Sequence, residues 1–222
     1  MDPNLPRIDK KAPLRERAYE LIKASILSNA LYPGQRLREQ ALAANLEISP
    51  TPIREALARL GQEGMVRIIP RKGTYVTQAS RRDVHEIYQL RRALEPLAVE
   101  LAINAIPLEE LERTENLFNS LRPALEDGKR EGFLDTDLEF HYLPVRYCGN
   151  TRLIQMVGSL SDHLRRVRTV LGVEPKLDIK KSFRQHCEIL AALRARDAVL
   201  ASRLLQEHLQ TAEENIASSL PE

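Results

Sequence analysis

The stretch Ile48-Ser49-Pro50-Thr51-Pro52-Ile53-Arg54-Glu55-Ala56-Leu57-Ala58-Arg59-Leu60 decides how the chain is read. Ser is a favoured N-cap, and proline is tolerated in a first helical turn because those N–H groups lack intrahelical partners. Ile53, Ala56, Leu57 and Leu60 recur at helical spacing and form one apolar stripe. Gly61 and Gly64 mark the end of that helix. Upstream, Leu37 to Asn45 reads as a short helix with Leu42 and Leu46 on its apolar side, and Pro33-Gly34 is a turn signal. Further upstream, Leu14, Ala18, Leu21, Ile22 and Ile26 predict an amphipathic helix over about 12–29. Downstream, two short β-branched runs, Met65 to Ile69 and Thr74 to Thr77, flank Pro70-Arg71-Lys72-Gly73 and predict a hairpin.

Helix, helix, short turn, helix and hairpin within about 70 residues is the order of a winged helix-turn-helix. It occupies 12–78, behind a polar N-terminus, 1–11, expected to be flexible. Residues 79–83 are polar and unpatterned and are read as a linker. From there the periodicity is helical, with helices predicted at about 84–105, 107–128, 131–148, 150–171, 178–196 and 198–218. Pro107 suits an N1 position, and Pro123 should kink or break its helix. Gly149-Asn150, Gly172 and Arg196-Asp197 mark turns. The expected fold is mainly α, with a winged helix-turn-helix followed by an antiparallel all-helical bundle over 84–218.

The 222 residues are 43% hydrophobic and 29% charged, which excludes disordered and collagen-like chains. No apolar run approaches the roughly 20 residues that cross a bilayer, so no membrane partner is expected. The N-terminus has no apolar signal core, and the expected location is the cytoplasm. Cys148 and Cys187 form no paired framework and read as reduced thiols. The net charge of +2 conceals an asymmetry. Residues 1–82 hold 15 Lys+Arg against 8 Asp+Glu, whereas 83–222 hold 18 against 23. A basic front half suggests a nucleic-acid-binding module.

In a helix-turn-helix, the second helix enters the major groove by its N-terminal end. That end carries Ser49, Pro50, Thr51 and Arg54. The two hydroxyls suit phosphates or base edges, and Arg54 could fork onto a guanine or a phosphate. Arg36, Arg38 and Gln40 precede or open the supporting helix, where a backbone phosphate would pass. Arg71, Lys72 and Gly73 sit at the hairpin tip, where glycine permits close approach to the sugar-phosphate backbone. Each cation taken singly could equally be a solvated surface residue.

The front half resembles the DNA-binding half of GntR-superfamily transcription regulators. The resemblance rests on Leu31 to Leu37, Leu42-Ala43, Ile48 to Leu57, Leu60, Glu63-Gly64 and Gly73 to Val76, in that order and spacing. That family commonly has Arg where Pro50 stands, and often Arg where Gln40 stands. The resemblance implies a regulator, expected to be a repressor, binding palindromic double-stranded operator DNA as a homodimer.

In the back half, Asp137 and His141 are four residues apart and share a helix face. His186 and His208 are equidistant from Asp197, in the expected turn between the last two helices. An antiparallel hairpin therefore sets them at one height. Three imidazoles and a carboxylate suit a divalent transition metal (Zn, Ni, Mn or Fe) rather than Ca or Mg. An isolated bundle histidine could instead be a hydrogen-bonded structural residue. His85 receives no role, and His163 is read as structural or surface.

Leu90-Arg91, Leu94-Glu95, Asp137, Phe140-His141, Gly149-Asn150, His186, Ile189-Leu190, Asp197, Ala201 and His208-Leu209 resemble the FCD effector domain of the FadR-like branch. The resemblance implies a divalent metal at Asp137, His141, His186 and His208, with a small organic acid beside it. A carboxylate effector needs a cation, and Arg91 and Arg146 are the candidates; Arg91 could instead pair with Glu95, one turn on. Two other functions stay open at this point. One is a metal-dependent hydrolase fused to a DNA-binding module, and the other is an architectural DNA-binding protein with a non-sensing bundle.

Overall fold

The computed structural model describes residues 13–78, 80–127, 129, 132–171 and 178–219, excluding the side chains of 134 and 166–171. The expected flexible segment 1–11, Ala79 of the expected linker and the turn at Gly172 lie outside the described residues. The chain divides into two compact units, 1–79 with 165–172 and 80–164 with 173–222.

In the first unit, α1 (Leu14–Leu27) is followed by β1 (Arg36–Leu37), α2 (Glu39–Leu46), α3 (Pro50–Gln62), β2 (Val66–Ile69) and β3 (Gly73–Val76). The strands form an antiparallel sheet in the order β1-β3-β2, with Arg36 opposite Tyr75 and Ile69 opposite Gly73. Leu37, expected to open α2, instead belongs to β1: pairing with Thr74 carries it into the sheet. The core is the merged apolar stripes of the three helices, with Ile22, Ile26, Leu46, Ile53, Leu57, Leu60 and Met65 fully buried. Each such side chain contributes about 1.5–3 kcal/mol on leaving water. The turn between α2 and α3 is made by Glu47 in the left-handed region, φ 55°.

Ser49 holds the N-cap position of α3, yet its side chain caps nothing. A cap accepts from the N–H at the second or third helical residue, and the third is Pro52, which has none. Tyr19 ties α1 to the far end of α3: its hydroxyl donates to Glu63, with Oε2 at 2.8 Å, and Arg59 stacks 3.6 Å from its ring centroid.

The second unit holds α4 (Arg81–Ala102), α5 (Leu108–Glu126), α6 (Phe133–Tyr147), α7 (Thr151–Leu171) up to Leu164, α8 (Ile179–Arg194) and α9 (Ala198–Ser219). Residues 80–83, read as part of a linker, begin α4 instead. The Ser80 hydroxyl accepts from Asp83 N–H while Asp83 accepts from Ser80 N–H, a reciprocal capping box. Pro107, expected at N1, is instead the N-cap of α5, and the helix starts one residue later at Leu108. That helix does not break at Pro123 but runs on to Glu126. A proline in the last turn removes only one interior bond, and the Asp127 N–H still reaches Pro123 O at 3.1 Å.

Asn150 and Asp197 cap α7 and α9, accepting from Leu153 N–H and Leu200 N–H. Arg196, at φ 59°, donates to the carbonyls of Ile103 and Ile106 and so fastens the α8–α9 turn to the α4–α5 connection. Helix α4 packs most extensively on α9, and α8 packs on both α9 and α5. Cys148 is buried and Cys187 half-buried, and both are free thiols. Among the described residues, no helix is long and apolar enough to cross a membrane.

Candidate functional site

On the first unit, Arg36, Arg38, Gln40, Ser49, Pro50, Thr51, Arg54, Arg71 and Lys72 are all exposed, and Gly73 is half-buried. Arg54 is not a free cation. Its Nε donates to Glu39 Oε2 at 3.0 Å, and a terminal nitrogen lies 2.9 Å from the same oxygen. Glu39 opens α2, so this pair ties the supporting helix to the groove helix. Gly73, the first residue of β3, has φ +122°, and a Cβ there would stand 3.0 Å from Arg36 Nε. The missing side chain thus lets Arg36 lie across the wing. Arg71 turns the hairpin at φ 62°, and Lys72 N–H donates to Ile69 O at 3.0 Å.

In the second unit, Asp137 and His141 come from α6, His186 from α8 and His208 from α9. All four are buried, and one ligand atom from each lies within 4.8 Å of the others. His186 Nε2 is 3.1 Å from His208 Nε2 and 3.5 Å from Asp137 Oδ1. His141 Nε2 is 4.0 Å from the same Asp137 oxygen. All three imidazoles therefore present Nε2 to a common point.

The opposite ring nitrogens are occupied in two of them. His141 Nδ1 is 2.8 Å from Glu95 Oε2, and His208 Nδ1 is 3.0 Å from Gln185 Oε1. An acceptor at Nδ1 puts the proton there and leaves the Nε2 lone pair for a ligand. Phe118, Phe133 and Phe140 surround His186, with ring centroids at 5.3, 6.0 and 4.4 Å.

Burial alone would raise the Glu95 carboxyl, but Arg91 and then His141 outweigh it and hold Glu95 at about 2. Burial first, then the imidazoles of His186 and His141, hold His208 well below the ordinary imidazole value. It is neutral near pH 7, the form that ligates. Buried His141 Nε2 has no hydrogen-bond partner among the described residues. An orphaned nitrogen aimed at two more imidazoles and a carboxylate fits a divalent transition ion.

Arg91 lies beside the cage through Glu95: its Nε donates to Glu95 Oε1 at 2.5 Å, with both side chains buried. Arg146 is not brought to the site, and its assignment to the effector is corrected. Five residues beyond His141, it sits about 140° round the helix. It is exposed and pairs with Glu139 at 2.9 Å and Glu110 at 3.9 Å. His85 is 2.6 Å from Glu213 and lies outside the cage ligands.

Sequence reading gives no role to Gln185, Phe118 or Phe133; Phe140 and Glu95 enter it through the FCD resemblance, and Glu95 also as a partner for Arg91. An acid on the buried face of α4, one turn from an arginine, was the available signal for Glu95. Gln185, Phe118 and Phe133 carry none beyond their place beside His186 or on apolar stripes.

The FCD domain family matches residues 86–211, and the bacterial regulatory proteins of the gntR family match residues 14–76. The HTH-type transcriptional repressor GlaR of Escherichia coli (strain K12) is 32% identical over 204 residues, covering 87% of this chain and 91% of that protein. The HTH-type transcriptional repressor RspR of the same strain is 25% identical over 210 residues, covering 95% and 92%. The solved structure of E. coli McbR/YncC is 26% identical, with a TM-score of 0.76, and covers 93% of this chain and 98% of that one. These relatives are regulators, so the hydrolase reading falls away. The chain belongs to the GntR family of bacterial transcription regulators, with a winged helix-turn-helix in front of an FCD domain.

Proposed function

We propose that the protein is a ligand-responsive transcription repressor whose FCD domain holds a divalent transition metal and a small organic acid. The observation that carries this reading is the convergence of Asp137 Oδ1 and three imidazole Nε2 atoms at a buried point. Those four side chains would hold the ion. When bound, it would supply a fixed positive charge for a carboxylate. Glu95 and Gln185 hold two imidazoles in the ligating tautomer, and the phenylalanines exclude water from the cage. Arg91, next to the cage through Glu95, is the cationic counterpart for the acid.

On the DNA side, Ser49, Pro50, Thr51 and Arg54 enter the major groove. Arg36, Arg38, Gln40, Arg71, Lys72 and Gly73 meet the backbone and wing contacts. Two copies place two groove helices on a palindrome. Effector binding shifts the population of bundle conformations and, through it, operator affinity. The names of GlaR and RspR support repression as the outcome.

The test is fluorescence anisotropy of the full chain on DNA flanking its own gene, with a panel of hydroxy, sugar, amino and dicarboxylic acids. The expected result is specific, salt-sensitive binding that one class of acid changes only in metal-loaded protein. An operator affinity that no acid alters, at full metal loading, would remove the sensing half of the proposal.

A further inference from the structure

A separate cavity of about 210 Å³ opens between the last turn of α5 and the first turns of α8. It is lined by Arg122, Leu125, Glu126, Lys180, Phe183 and Arg184, none of which belongs to the histidine cage. Leu125 and Phe183 are buried and form its apolar wall, while the four charged residues are exposed. Three cations against one carboxylate stand out in a half of the chain whose balance is acidic, 18 Lys+Arg against 23 Asp+Glu over 83–222.

Among the described residues, no salt bridge neutralises these cations. Arg122 lies 5.1 Å from the Phe183 ring centroid and, among the described residues, donates to the neutral Asn119 side chain at 3.3 Å. Lys180 Nζ donates to the backbone carbonyl of Glu126 at 3.3 Å. Arg184 has no ion pair among the described residues.

We propose that this cleft is a second ligand site, distinct from the cage, for a small monocarboxylate carrying a flat apolar body. The carboxylate lies among Arg122, Lys180 and Arg184, where guanidinium groups suit its two oxygens. The body lies on Leu125 and Phe183. Pockets for drug-sized ligands run to about 300–1,000 Å³, so this one takes a smaller molecule. Glu126 at the rim works against a multiply charged anion such as phosphate, and the apolar wall would leave one without a match. The cleft is set off from the cage by aromatic rings: Phe183 of the cleft meets Phe118 at 5.7 Å, and Phe118 in turn meets His186 at 5.3 Å.

The experiment titrates the full chain by calorimetry with benzoate, benzamide and inorganic phosphate. It compares the parent with Arg122→Ala/Arg184→Ala and with the cage variant Asp137→Asn/His141→Gln. Benzoate is expected to saturate one site, with benzamide and phosphate weaker by about tenfold or more. The cleft variant, its melting temperature unchanged because both side chains are exposed, should lose about tenfold in benzoate affinity. The cage variant should keep benzoate binding while losing metal by elemental analysis, which separates this site from the metal proposal. Absence of benzoate binding, equal binding of phosphate, indifference to the cleft variant, or loss with the cage variant would each overturn the proposal.

Discussion

Glu95 on α4 and His141 on α6 meet at 2.8 Å, carboxylate to Nδ1, while the other nitrogen of the same ring faces Asp137. The bond spans two helices and fixes which nitrogen of His141 is available. Glu95→Gln keeps the shape but removes the charge that favours the ligating tautomer. Chelator-competition titration should show metal affinity reduced about 10–100-fold. Unchanged affinity would show that Glu95 does not position His141.

Arg91 is the counter-charge that lets Glu95 be ionised inside the bundle, with side chains only 4% and 2% exposed. Removing one partner of a buried pair leaves an uncompensated charge, so Arg91→Leu should cost about 3–5 kcal/mol in urea unfolding. Arg91→Leu with Glu95→Leu should cost less than Arg91→Leu alone. Equal losses would mean that the pair is not the source of the effect.

Arg54 is poised by Glu39, so each should matter to DNA reading through the other. Arg54→Ala should cost about 1–3 kcal/mol of operator affinity. Glu39→Gln should weaken the same operator in the parent and change nothing further once Arg54 is gone. An additive double-mutant cycle would separate the two residues.

Glu213 joins α9 to α4 through Arg92 and His85. Burial alone would raise its carboxyl, but those two partners hold it below the ordinary carboxylate value. A lowered folded value means stability that is fully present above the unfolded carboxyl value and lost as pH falls through the folded one. Melting temperature should therefore drop with acidification in that window, and Glu213→Gln should flatten the drop. Parallel curves for parent and variant would rule Glu213 out as its source.

Gly73 combines φ +122° with Arg36 pressed against the place of a Cβ. Gly73→Ala should destabilise the wing by about 1–3 kcal/mol and weaken operator binding. Unaltered melting and affinity would show that the wing tolerates a side chain there.

Much of this architecture was legible because it rests on periodicity. The apolar stripe of α3, the hairpin and the helices after residue 80 follow from spacing alone. The equidistance of His186 and His208 from Asp197 sets the two at one height, since antiparallel helices preserve height about their turn, and their Nε2 atoms lie 3.1 Å apart. What was not legible depended on neighbours distant in sequence. Leu37 became a strand residue only because Thr74 stands beside it. Arg146 followed its helix phase outward, and the two acids that meet it lie on its own helix and on α5. Gln185 matters solely because His208 turns Nδ1 towards it.

The most direct test is elemental analysis of the natively purified chain beside His186→Gln/His208→Gln. The account predicts about one divalent transition ion per chain in the parent and almost none in the variant, with the fold retained by circular dichroism. A parent that stays metal-free after incubation with excess zinc or nickel, or a variant that carries as much metal as the parent, would contradict it.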